Sequence, residues 1–313
     1  MNAAMVTKDK MIRLPIFCVF GCLLAALPLR AAPESFAYVL QADSFARDKG
    51  SAVAQLAECG RDWIVIDSRF DSETAWGAED LNAIRAGRKE RKVLAYISIG
   101  EAEDYRSYWD EKWSHRGKPE WLLNENPHWK GNYRVAYWHP AWQEIMLKVV
   151  EGVMSGGFDG VYLDIVDGFE SFEKDGMRFV DDRVNPATRQ SYRRDMVDWV
   201  KKVAAQARKK NPAALVIPQN GSQLLAHPDF IATVSGIGIE DLFTEDDRKQ
   251  PAGHSDYVLE FLQPLRKTGK PVLVIEYPTR EKSITFARES NQRWKFTLLI
   301  TDRDLKTLGA SGR

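Results

Sequence analysis

Carboxylates placed at the ends of short apolar runs are the residues of this chain best suited to chemistry. Asp67 follows Trp63–Ile66, Glu101 follows Val93–Gly100, Asp164 follows Val161–Leu163, Glu240 follows Gly236–Ile239 and Glu276 follows Pro271–Ile275, while Asp302 closes one further run. Strand side chains alternate between faces, so in Gly160–Asp164 the polar pair Tyr162 and Asp164 shares one face and the apolar pair Val161 and Leu163 the other. Asp is a poor strand former, and the carboxyl end of a strand is where α/β enzymes place their reactive groups. Acids gathered on one rim repel each other, so stability alone does not select for them. A cationic ligand, raised pKa values, or both must compensate.

The elements needed to gather them are legible as alternation. Strand candidates at 36–40, 63–67, 93–101, 160–164, 214–220, 236–240, 271–276 and 295–302 are separated by helical patterns at 52–57, 78–85, 142–151, 188–209 and 255–268. Such alternation implies parallel strands with right-handed crossovers, and eight such units predict a closed (β/α)8 TIM-like barrel. No linker rich in Pro, Gly or Ser divides residues 33–313, which favours a single domain. The stretch 171–185, rich in charge, reads as an insertion after the fourth strand.

Residues 1–32 have the order of a secretory signal peptide: Lys8, Lys10 and Arg13, then an apolar run interrupted by Pro15, Gly21 and Pro28, then Ala31 and Ala32. That run suits a signal core better than a membrane span, so the mature protein is expected to be secreted or periplasmic with no stable membrane span. Cys22 is a poor lipoprotein site because Phe20 and Gly21 precede it. Of the three cysteines only Cys59 lies beyond this leader, which excludes an internal disulfide in the mature chain. Lys and Arg total 44, as do Asp and Glu, and this balance argues against nucleic acid or an anionic membrane as partner. The chain has no Gly-x-Ser-x-Gly elbow, Walker loop, His-Glu-x-x-His pair or Cys cluster, and its five His are scattered, so no metal or cofactor is expected.

With Tyr162–Glu170, Val93–Glu103, Ile217–Gly221 and Gly238–Phe243 in this order, the chain resembles glycoside hydrolase family 114, the endo-α-1,4-polygalactosaminidases, and in particular its bacterial branch. The resemblance spans roughly Phe36 to Asp302. It implies a TIM-like barrel that hydrolyses partly deacetylated galactosamine polymers with an Asp after the fourth strand and a Glu after the sixth, here Asp164 and Glu240. Fungal members carry Asp-Asn-Val-Asp where this chain has Asp164-Ile165-Val166-Asp167, which departs at the second position and leaves the polymer less defined than the reaction.

Glycoside hydrolysis needs one carboxylate that attacks or activates water and one acid that protonates the departing oxygen. Asp164 is assigned the first role and Glu240 the second. Asp67, Glu101, Asp167, Asn220, Asp241, Glu276 and Tyr277 are candidates for hydroxyl or amine contacts on a partly cationic polysaccharide. Tyr96, Trp138 and Tyr162 are candidate stacking platforms, although aromatics also fill cores. The alternative from another class is a non-catalytic carbohydrate-binding barrel in envelope or exopolysaccharide handling.

Overall fold

The computed structural model describes residues 32–114 and 116–312. Residues 1–31 of the expected leader, with Cys18 and Cys22, lie outside the described residues. Eight parallel strands form the frame: β1 (Phe36–Val39), β2 (Trp63–Asp67), β3 (Lys92–Ser98), β4 (Gly160–Asp164), β5 (Leu215–Pro218), β6 (Ile237–Glu240), β7 (Val272–Glu276) and β8 (Thr297–Ile300). β1 to β5 pair in sequence order as one sheet, and β6 to β8 continue in a second. A parallel bridge from Gln219 to Gly238 joins the two sheets.

The remaining seam closes in a way that the alternation does not foretell. A short strand β9 (Ala310–Gly312) runs antiparallel to β8. The Ser311 hydroxyl accepts from the Phe36 N–H at 3.0 Å and donates to the Leu298 carbonyl at 2.7 Å, so one side chain bridges β8 and β1. Arg61 holds the same segment through the Gly309 and Ser311 carbonyls at 2.8 and 3.1 Å.

Alternation divides each strand between lumen and shell. Tyr38, Val65, Leu94, Tyr162, Ile217 and Leu273 belong to one buried cluster inside the barrel. Ile64, Ile66, Val93 and Ala95 face outward in another, and Val161, Leu163, Val216 and Val274 in a third. The shell helices are α1 (Lys49–Glu58), α2 (Ala78–Ala86), α3 (Pro140–Gly156), α4 (Tyr192–Lys210), α5 (Pro228–Thr233), α6 (Ala252–Lys267) and α7 (Glu281–Trp294). Helix α3 has Pro140 in its first turn after the His139 cap and stops at Gly157, whose φ of 102° is a left-handed conformation that glycine adopts without penalty. Trp142 of α3 and Trp199 of α4 both donate to the Ile99 carbonyl, at 3.0 and 3.2 Å, and so pin the chain as it leaves β3.

Three features depart from the pattern. Helix α4 begins at Tyr192 instead of Thr188, because Ser191 caps the Arg194 N–H at 3.1 Å while the Thr188 hydroxyl donates to Asp195. Helix α7 gives no apolar period because the residues it buries are Ala287, Ser290 and Asn291. Between β3 and α3 the chain makes a three-stranded antiparallel excursion, Glu101–Glu103, Leu122–Glu125 and Asn132–Val135, that stands over the mouth. No helix among the described residues is long and apolar enough to cross a membrane.

Candidate active site

Asp164 is the last residue of β4, and its lumen-facing side chain is bound on both oxygens. Tyr96 of β3 donates its hydroxyl to Oδ2 at 2.6 Å, and the Ile165 N–H donates to Oδ1 at 2.8 Å. Ile165 itself has a φ of 55°, costly for a β-branched residue. Asn220 and Asp241, just beyond β5 and β6, also have positive φ, 58° and 51°. Three neighbouring strands thus leave the barrel by abrupt turns that keep their terminal side chains at the mouth.

Glu240 ends β6 on the same lumen face. Gly238 lies beneath it, and a Cβ there would stand 1.9 Å from the Tyr162 hydroxyl and 2.3 Å from Gln219 Oε1, so only glycine leaves room for this polar layer. Tyr162 donates to Gln219, Tyr277 donates its hydroxyl to Glu240 Oε1, and Asn220 Oδ1 accepts from the Glu240 N–H at 3.1 Å. Burial, helped by the charge of Asp164, pushes the Glu240 carboxyl up to about 7 against the opposing pull of Tyr277 and the nearby Gln219 amide. Burial also raises Asp164, with the Tyr96 hydroxyl resisting.

These groups open into a cavity of about 590 Å³. Asp67, Tyr96, Glu101 and Asp167 line it together with Asp164, Asn220, Glu240 and Tyr277. The Asp167 side chain accepts no hydrogen bond from another described residue, and its pKa is raised well above its ordinary value by burial and then by the charges of Asp164, Glu170 and Glu240. Glu101 is 3% exposed; its Oε1 accepts from Asn126 at 2.9 Å and its Oε2 has no partner among the described residues. Asp67 is already paired: Arg106 grips it with two nitrogens at 2.8 and 2.7 Å.

Four of the candidate contacts sit elsewhere. Tyr162 is fully buried below the carboxylates, its ring 5.0 Å from that of Tyr38, and supports the floor. Trp138 lies outside the cavity lining, packed against Phe172 at 4.9 Å and Tyr137 at 5.0 Å, because it belongs to the lead-in to α3. Asp241 is held by Arg303 at 3.0 Å through each oxygen. Glu276 ends β7 with the opposite parity: Ile275 and Tyr277 face the lumen, so its carboxylate points into the shell and accepts from the Phe243 and Thr244 N–H groups at 2.9 and 3.0 Å and from the Thr244 hydroxyl at 2.6 Å.

Sequence reasoning passed over Arg303, whose guanidinium lies 4.2 Å above the Tyr277 ring, and Arg106, Tyr105 and Trp129 of the excursion, all of which line the cavity. The signal available for the aromatics was their setting, large rings in a polar stretch with no apolar period around them.

A protein-family model described as glycoside-hydrolase family GH114 matches residues 26–312. The chain belongs to glycoside-hydrolase family GH114. It is a glycoside hydrolase with a TIM-like barrel. An uncharacterized protein of Deinococcus radiodurans is 36% identical over 246 residues, 78% of this chain and 74% of that protein. The MJ1477 protein of Methanocaldococcus jannaschii, also uncharacterized, is 36% identical over 230 residues, 72% of this chain and 63% of that protein. Among solved structures, the glycoside hydrolase domain of PelA from Pseudomonas aeruginosa superposes with a TM-score of 0.64 at 19% identity, covering 89% of this chain and 98% of that domain. Ega3 from Aspergillus fumigatus, solved in complex with galactosamine, superposes with a TM-score of 0.58 at 18% identity over 80% of this chain and 87% of Ega3. At these identities the two superpositions establish the shared fold.

Proposed function

We propose that this GH114 protein is an endo-acting hydrolase of α-1,4-linked, galactosamine-containing exopolysaccharide, with Asp164 as nucleophile or base and Glu240 as general acid. The observation that carries the assignment is the pair itself. Two carboxyl groups on strands that flank β5 differ in environment, Asp164 hydrogen-bonded on both oxygens and Glu240 pushed up to about 7, which suits the first to act as the anion and the second to carry a transferable proton.

The charge of the cavity supports an aminosugar. Eight acids line it, Asp43, Asp67, Asp71, Glu101, Glu103, Asp164, Asp167 and Glu240, against Arg69, Lys130, Arg106 and Arg303. Glu101, on the chain before Asp164, keeps an unengaged carboxylate oxygen there, and Asp167, after it, faces the charges of Asp164, Glu170 and Glu240. A substrate ammonium group would relieve this excess, whereas a fully acetylated chain would not. Ega3, whose structure holds galactosamine, is a protein of the same fold. The signal pattern of residues 1–32 supports delivery to the secretory route, which fractionation of cells expressing the full chain would check.

The direct test is incubation of the leaderless protein with partly deacetylated galactosamine polymer, followed by mass spectrometry of the products. Released oligomers of several lengths are the expected result. Saturable binding without cleavage would replace the hydrolase reading by that of a binding barrel.

A further inference from the structure

The cleft is electrically uneven along its length. Its centre collects Asp164, Asp167, Glu240 and Glu101. Arg303, the cation beside it among the described lining residues, already serves Asp241 at 3.0 Å and Asp246 at 2.7 Å. The wall raised over β2 and β3 is different. Of the residues lining the cavity there, Asp67, Asp71 and Glu103 meet Arg69, Arg106 and Lys130, while Glu125 accepts from the Gly131 N–H at 2.7 Å just outside the lining. Arg106 binds Asp67 through two nitrogens and Glu103 through its third at 2.6 Å, and Asp71 is occupied by the N–H groups of its own turn at 2.8 and 2.6 Å. Lys130 forms no ion pair among the described residues and stands next to Trp129 at the cavity edge.

This wall also carries the exposed aromatic surface of the cleft. Trp129 is 57% exposed and Tyr105 is 52% exposed, and both line the cavity. A large indole left in water on a glycoside hydrolase is poorly explained by packing, but it is well suited to stack on the C–H face of a sugar ring. The turn that bears Trp129 is fixed at both ends: Asn126 donates to Glu101 at 2.9 Å, and Asn132 Oδ1 accepts from the Tyr105 hydroxyl at 3.3 Å. The platform is therefore tied to the catalytic rim by side-chain bonds.

We infer that the excursion between β3 and α3 forms a distal subsite in which Trp129 stacks on an electrically neutral, N-acetylated hexosamine, while the acidic centre receives a unit with a free amine. The inference rests on the proposed hydrolysis of aminosugar polymers and adds a pattern to it. An ammonium beside Lys130 and Arg69 meets repulsion that its counterpart at Glu101 and Asp167 does not. The protein would thus read where acetyl groups fall along a partly deacetylated chain and not merely how many there are.

Oligosaccharides of defined length and acetylation pattern test this, with cleavage measured on the wild type and binding measured by calorimetry on the inactive Glu240→Gln protein. Oligomers acetylated only at the unit over the wall should be bound and cleaved best. Trp129→Ala should raise KM for long oligomers about tenfold with kcat nearly unchanged and leave short ones unaffected, and Trp129→Phe should recover most of the loss. Lys130→Glu should transfer the preference at that unit toward the free amine. Cleavage that is length-dependent yet indifferent to Trp129→Ala, or a preference unmoved by Lys130→Glu, would overturn the subsite while leaving the hydrolase reading intact. Absence of both binding and cleavage for every oligomer would instead overturn the function on which it rests.

Discussion

Glu240 and Glu276 end adjacent strands of the same barrel, and burial pushes each carboxyl up to about 7. Their surroundings share little else. Glu240 looks into the lumen toward Asp164 with one hydroxyl donor, whereas Glu276, 0% exposed, looks into the shell and binds two backbone N–H groups and a threonine hydroxyl. A raised pKa therefore does not by itself mark a catalytic group. The parity of one residue along a strand separates a carboxyl group that faces the cavity from one that fastens a loop.

The most forceful way to break this contrast is to neutralise each side. Glu240→Gln and Asp164→Asn should each lower the rate of polymer cleavage by about 10²–10⁴ while leaving the melting temperature at pH 8 unchanged or higher, since each removes a buried charge facing another. A folded variant with full activity would eliminate that residue from the mechanism. Glu276→Gln should do the reverse. Its amide nitrogen would confront N–H donors that now face a carboxylate oxygen, costing about 1–3 kcal/mol of stability by chemical denaturation, with activity per folded molecule retained. Loss of activity without loss of stability would return Glu276 to the site.

A smaller effect should follow from pH. Both glutamates have folded-state pKa values above their unfolded value, so their contribution to stability is complete below the usual carboxylate range and is lost as pH rises toward about 7. Melting temperatures should fall across that window, and Glu240→Gln should flatten part of the fall. Cleavage should decline above about 7 as the general acid ionises. Tyr277→Phe gives the finest adjustment. Removing the hydroxyl that favours the Glu240 anion should move the alkaline limb of kcat upward with only a modest change in its maximum, and an unmoved limb would assign that limb to another group.

What the sequence conveys of this divides along the same line. The frame was readable because each barrel strand is apolar and the acids fall at strand ends; Asp164 and Glu240 were further marked by neighbours of contrasting type, Leu163 beside Tyr162 and a glycine every second residue before Glu240. Glu276 was not separable, because Val272–Ile275 is apolar on both faces and carries no sign of which side is lumen. Trp138 sits in a segment whose partners, Phe172 and Tyr192, arrive from beyond β4. The pairing of Arg106 with Asp67 and of Arg303 with Asp241 spans 39 and 62 positions, distances at which no local pattern operates.

The seam at β9 bears on how the molecule comes into being. Ser311 joins Phe36 across 275 positions, and Arg61 reaches Ser311 across 250. A chain emerging from the ribosome can assemble the sheet from β1 to β5 early, but the ring stays open until Ser311 has been made. The loop bearing Arg303 is anchored by the same late event, since the Leu305 carbonyl accepts from the Leu40 N–H at 2.8 Å. Contacts so distant carry a large loop-closure cost before they return any gain, which makes closure a late and slow step. Ring closure and completion of the cleft would then coincide, and a partly synthesised chain would have no finished cleft.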